Sequence, residues 1–416
     1  MMKKFILSII LIFLVSGCTR HAAVEDPIVA RVGKQVITAS EFRSNYEFGL
    51  SHLKRGENPK RTYLDFMIKE QVLAQQGYQL GLDSSAAVQA AVRRLEEELL
   101  IEELFLDQVH RKIKIRDDEV REAINQSKVS WKFRYWVEPT FDGAEIVARA
   151  MRERGYADVV TDFLSQNSET PLTPRDFESD FVTWLDVPEP LLNALKDLPR
   201  GDISAPVELN DVFYIFQITD IRQQGVLENE YASQAVSMKK TLFYRKVMEE
   251  GVKYVADLMT PKQVVTKGKP FRMLADALVE WKMAGDKRSF PAAIQSATTG
   301  QPALLALRQH FSEPLVQFQG GHWSLEEFVS RKLDLSRLTA SPAEIDVFRN
   351  QVNDLIGLSI RNHFLLAAAR KKGLEKSDNV RRQLADWRDK WVYQETRYAF
   401  TRGLQLDPSQ LKNYFE

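Results

Sequence analysis

The chain has 416 residues, 44% of them hydrophobic and 27% charged, a balance suited to two to four folded domains with substantial cores. Lys plus Arg equals Asp plus Glu at 57 each, so no net field draws nucleic acid or an anionic membrane surface. Cys18 is the only cysteine, which excludes an intramolecular disulfide and a cysteine-type zinc site.

In chain order, the first element is a targeting segment. Lys3 and Lys4 precede an uncharged apolar run from Phe5 to Val15, then Ser16, Gly17 and Cys18. The run is too short to span a bilayer comfortably, and the layout is that of a cleaved secretory signal. Val15 to Cys18 resembles the bacterial lipoprotein lipobox. That resemblance implies that residues 1–17 are removed and that Cys18 becomes a diacylated N-terminus, tethering the chain to the cell envelope. Thr19 stands where an aspartate would imply inner-membrane retention, so the periplasmic side of the outer membrane is expected if two membranes are present.

Val29 to Ile37 reads as a small hairpin turning at Gly33, and Thr38 to Glu41 as a capping box that opens a helix through Phe42, Tyr46 and Leu50. Leu64, Met67, Ile68 and Val72 keep helical spacing up to a stop at Gly81. A long helix then carries an apolar stripe through Val88, Val92, Leu95, Leu99, Leu106, Val109 and Ile113, with Glu102 as its polar interruption. Trp131 to Val137 is strand-like, Ala144 to Arg154 helical and Val212 to Ile218 strand-like. Arg222 to Leu258 reads as one long helix, and residues 260–315 as a helical connector.

The last hundred residues repeat the first plan. Gly320 to Trp323 takes the place of the hairpin turn, and Ser324 to Phe328 repeats the cap and its phenylalanine. Ile356 and Ile360 stand for Leu64 and Ile68, and Gly373 for Gly81. The stripe returns as Val380, Leu384, Trp387, Trp391 and Tyr398, with Gln394 in the place of Glu102. Shared order of cap, glycine stop, stripe and defect is the signature of a duplication. Trp387 and Trp391, on the stripe, are expected to fill the core.

This order of parts resembles the secreted foldases and chaperones exemplified by SurA and PrsA. Val29 to Phe42 is similar to that family's opening, and Ile115 to Val120 to the phrase leading into its parvulin-type prolyl isomerase domain. Leu198 to Val207 is similar to the phrase before that domain's last strand. The resemblance implies a mainly helical α+β fold: a SurA-like N-terminal helical domain at 28–125, a parvulin-like α/β domain at 129–222 and a long packing helix at 223–259. The connector at 260–315 and a second helical copy at 316–416 complete the chain.

It also implies a histidine pair in the parvulin-like domain, and here the chain departs from the family. None of the six histidines lies between His110 and His310. Tyr135 and Tyr214 stand at the two histidine positions, and Ser179 to Trp184 replaces a glycine-rich segment. Tyr135, Trp184 and Tyr214 are candidates for an aromatic peptide groove; equally, the tyrosines are strand residues packed in a core.

No catalytic residue, metal ligand or cofactor is expected. Asp117 to Glu119 begins a helix, where acidic residues favour the dipole, and Glu96 to Glu98 is a solvated helix face. His310 and His322 are isolated, and neither a nucleophile elbow nor a phosphate-binding glycine loop occurs. Three functions remain: a lipid-anchored chaperone for unfolded or secreted polypeptides whose isomerase activity is lost, a divergent prolyl isomerase, or an envelope-assembly protein with one fixed partner. Cys18→Ser should abolish the acylated N-terminal peptide in mass spectrometry and release or leave unprocessed the protein; a processed variant still bound to membranes contradicts the anchor.

Overall fold

The computed structural model describes residues 26–49, 51–167, 172–210 and 212–403, so Cys18 lies outside the described residues. The elements in order are β1 (Ile28–Val32), β2 (Gln35–Thr38), α1 (Ala39–Phe48), α2 (Pro59–Gln79), α3 (Ala86–Gln108), α4 (Asp117–Gln126), β3 (Val129–Glu138), α5 (Phe141–Arg154) and α6 (Tyr156–Asn167). There follow β4 (Val182–Thr183), α7 (Glu189–Asp197), β5 (Val207–Leu209), β6 (Val212–Gln223) and α8 (Glu228–Met259). The remainder is β7 (Val265–Thr266), α9 (Gly268–Met283), α10 (Phe290–Gln295), α11 (Pro302–Gln309), β8 (Pro314–Phe318), β9 (Gly321–Ser324), α12 (Leu325–Arg331), α13 (Ile345–Lys371) and α14 (Asp378–Thr401). The fold is mainly helical α+β. Internal contacts divide it into two units: one holds the chain up to Leu104 and from Asn362 on, the other Phe105–Arg361.

In the first unit, the β1–β2 hairpin leads into α1 through the reciprocal cap read from the sequence. Thr38 Oγ1 accepts from the Glu41 amide, and Glu41 Oε2 accepts from the Thr38 amide. Helix α2 covers the hairpin, with Gln75 Nε2 donating to the Val32 carbonyl at 2.7 Å. Ile37, Tyr63 and Met67 form the small core beneath. Helix α14, three hundred residues later, lies along α2. Tyr78 donates its hydroxyl to Asp389 at 2.6 Å, and a Cβ on Gly77 would stand 2.1 Å from Thr396 Oγ1 and 2.6 Å from Val392 Cγ1. Two helices approach this closely only where one presents a bare backbone.

Several local features recur at the two ends of the chain. A shift of 292 residues carries Gly81 to Gly373, both left-handed at φ 70°, and Ser85 to Ser377. It also carries α3 onto α14 to within one residue at the C-terminal end. Each left-handed glycine ends one helix and opens a single 3-10 turn before the next, a backbone that side chains rarely adopt. Ser324 Oγ accepts from the Glu327 amide, as Thr38 does from Glu41. The stripe's two apparent defects, Glu102 and Gln394, are both exposed; the polar residue α3 buries is Glu103, whose Oε2 accepts from Asn379 Nδ2 at 3.0 Å.

In the second unit, an antiparallel sheet of order β4-β3-β6-β5 carries α5 and α6 on one face and α7 on the other. Arg222 and Gln223, expected to begin the long helix, instead extend β6, because Ser130 and Val129 continue the ladder opposite them. Residues 260–315 are more than a helical connector. Leu274, Leu278, Phe290, Ile294, Leu304 and Leu307 from α9, α10 and α11 form a fully buried core, and β7-β8-β9 make a three-stranded sheet. Gly77→Ala should lower the unfolding free energy by about 1–3 kcal/mol through overpacking against α14, measured by urea denaturation. Thr396→Ala in that background should recover part of the loss.

Candidate functional site

Strand alternation sorts the sheet of residues 129–223 into two faces. Trp136, Phe213 and Ile215 point to α5 and α6, against Val147, Met151 and Tyr156. Trp131, Phe133, Tyr135, Tyr214, Phe216 and Ile218 point the other way, toward Leu191, Leu192 and Leu195 of α7. Tyr135 pairs across the ladder with Phe216 and Val137 with Tyr214, so the two tyrosines are diagonal neighbours. Their ring centroids are 6.5 Å apart. Phe216 stacks on Tyr214 at 5.9 Å and meets Phe133 edge-on at 5.3 Å, while Phe177 closes on Tyr135 at 6.1 Å. The result is a continuous aromatic pavement, held by offset and edge-to-face contacts.

Both tyrosines are half-buried. Trp184 is placed apart from them, as an interior residue. Its indole N–H donates to the Ala123 carbonyl of α4 at 3.0 Å, and Arg245 of α8 lies 4.8 Å over its ring. The same guanidinium donates to the carbonyls of Trp184 at 2.7 Å and Val187 at 2.8 Å. A buried indole needs a polar partner, and a planar fork suits two carbonyls at once. Trp184 and Arg245 therefore fasten the segment after β4 to α4 and α8.

The pavement carries no acid or base. Residues 129–222 contain no histidine. Hydroxyls that reach its strands are taken by backbone: Ser179 Oγ accepts from the Phe133 amide at 3.1 Å, Ser204 Oγ accepts from the Phe216 amide at 2.9 Å and Thr219 Oγ1 donates to the Lys132 carbonyl at 3.0 Å. Burial pushes the Tyr156 phenol up, and its hydroxyl donates to the Tyr135 carbonyl at 2.7 Å, fixing β3 from behind. Among the described residues no cluster of His, Cys, Asp and Glu has the geometry to hold a metal ion. Of this aromatic cluster Phe133 and Phe216 are buried, and the rings of Tyr135 and Tyr214 are half-buried above them.

A second aromatic feature lies in the first unit, where Trp387, expected in the core, is 44% exposed. It lines an open cavity between α3 and α14. Helical periodicity put Trp387 on the apolar stripe, but the alanines at 90 and 91 opposite it were the signal that the stripe does not close there.

No protein-family model matches the chain, and no curated protein matches it. Among solved structures it is similar to a SurA-like chaperone from Campylobacter jejuni, at 15% identity and a TM-score of 0.27, over 58% of this chain and 100% of that one. It is similar to the foldase PrsA from Streptococcus pneumoniae at 16% identity and a TM-score of 0.26, over 53% and 87%. For the peptidylprolyl isomerase PrsA from Bacillus cereus the values are 15% and 0.25, over 55% and 88%.

The collar of α4 and α8 that holds this domain is partly ionic. Lys246 Nζ meets Glu119 Oε1 at 2.8 Å, and Lys128 Nζ meets Glu230 Oε1 at 2.5 Å. The hydrogen bond from Lys246 holds Glu119 below its ordinary value, and that from Lys128 does the same for Glu230. A carboxylate depressed in the folded state adds stability above the unfolded value of 4.5 and loses it as pH falls through the folded one. Acidification from about pH 5 to about pH 3 should therefore speed hydrogen exchange in α4, and Lys246→Met should flatten that response.

Proposed function

We propose that this chain is a chaperone of the cell envelope, tethered through Cys18, which holds unfolded or secreted polypeptides without a cofactor. The reading rests on one observation above others. Tyr135 and Tyr214 lie half-buried beside one another over the buried Phe133 and Phe216, as an aromatic patch at the margin of the sheet's core, and residues 129–222 contain no histidine. Isomerisation requires a site that favours the twisted amide over both planar forms. An aromatic pavement holds all three about equally, which gives binding without acceleration. An extended segment laid across it gains area from each apolar side chain, at about 25 cal/mol per Å² removed from water. Balanced charge over the chain sets no preference for acidic or basic clients.

In a protease-coupled proline-peptide assay the full chain should show turnover near background, while suppressing aggregation of an unfolded model protein. Tyr214→Asp should weaken that suppression. Turnover comparable to an active parvulin, abolished by Tyr135→Ala or Tyr214→Ala, identifies a divergent isomerase instead. No suppression, together with one stoichiometric partner from envelope extracts, identifies an assembly factor.

A further inference from the structure

Helices α3 and α14 hold equivalent places in the two copies, and the shift of 292 residues carries Leu95 to Trp387 and Leu99 to Trp391. The two helices run antiparallel. At one end Asn379 binds Glu103; at the other Val88 and Val92 cluster with Val392 and Trp391. Between these closed ends the helices stay apart, and the gap is a cavity of about 510 Å³. Ala90, Ala91 and Leu95 form its α3 wall, and Trp387 and Trp391 its α14 wall. The first copy half-buries the residue that matches Trp387, Leu95; the second leaves Trp387 44% exposed.

The rings cannot fall inward to close the gap. The Tyr78–Asp389 hydrogen bond and the bare backbone of Gly77 fix α14 against α2. Trp387 and Trp391 stand 5.8 Å apart at 32°, and Lys390 Nζ sits 5.0 Å over the Trp387 ring. The cavity is thus preformed, apolar within and charged at its edge, as sites for small apolar groups are. Its edge carries both signs: Arg94 and Glu98 from α3, Lys390 from α14. A lipid headgroup or nucleic acid calls for one sign; a peptide backbone calls for donors and acceptors together.

We propose that this cavity takes one aromatic side chain of an extended segment of an unfolded polypeptide. The ring lies edge-on to the two indoles, and the flanking peptide groups meet Arg94, Glu98 and Lys390. The proposal rests on the chaperone reading above and adds a second anchor, on a different unit from the sheet pavement.

The test uses the full chain and a fluorescein-labelled decapeptide containing one central Phe, with a Ser-substituted peptide as the comparison, read by anisotropy. Wild type should bind the Phe peptide about tenfold more tightly than the Ser peptide. Ala91→Leu, which fills the cavity, and Trp387→Ala, which removes its wall, should each bring binding of the Phe peptide down to that of the Ser peptide. Thermal unfolding monitors folding, and Trp387→Phe should retain most of the preference. Equal preference in wild type and Ala91→Leu overturns the cavity as the site even if aggregation is still suppressed. A wild type that suppresses aggregation yet shows no Phe preference overturns it equally, whereas loss of both activities overturns the chaperone reading itself. Concentration-dependent self-association abolished by Trp387→Ala assigns the cavity to a second copy and also overturns the proposal.

Discussion

The close approach of α14 to α2 is the contact on which the first unit depends, and the absence of a side chain at Gly77 is what permits it. The partners are more than three hundred residues apart: Tyr78 and Gln35 both bond Asp389. The hairpin, α2 and α3 thus have no complete core until residues beyond 378 are in place. Long-range closure of this kind is entropically costly and must be repaid by dense packing. That repayment comes from Val88, Val92 and Val392, and from the hydrogen bonds at either end of the α3–α14 pair.

The same helix has a polar side. Glu41, Glu70 and Asp386 line a cavity of about 120 Å³ with Asp389 and Lys390, and burial raises all three carboxyls above their ordinary values. A raised carboxyl stabilises the folded state most fully below its unfolded value and less as pH rises through the folded one. Within the other unit the signs are reversed, since Glu119, Glu178 and Glu230 are lowered by lysine partners. These two sets of carboxylates therefore respond to acid in opposite directions, one raised by burial and the other lowered by lysine partners.

The four-stranded sheet of the second unit is an aromatic core between two layers of helix. The order β4-β3-β6-β5 and the helices behind it keep Tyr135 and Tyr214 adjacent. Arg245 and Trp184 fix the segment after β4 to α4 and α8, so the pavement is held on a rigid frame. Rigidity of this sort lowers the ordering cost of binding without requiring any chemical step.

Local signals were legible in the sequence alone. The caps at Thr38 and Ser324, the glycine stops at 81 and 373 and the strands and helix within 131–137, 144–154 and 212–218 all follow from interactions within a few residues, which the chain encodes directly. The sequence also determined that the parvulin-like domain lacks histidine. Three things were decided by tertiary structure. Trp184 went to the interior because Ala123 and Arg245 meet it there, from α4 and α8. Glu103, rather than Glu102, was buried, because one residue is 100° on a helix and only the partner helix fixes which face is inside. Trp387 was left open because the helix opposite offers Ala90 and Ala91: periodicity marks an apolar face, but whether that face is filled depends on side chains brought from elsewhere in the chain.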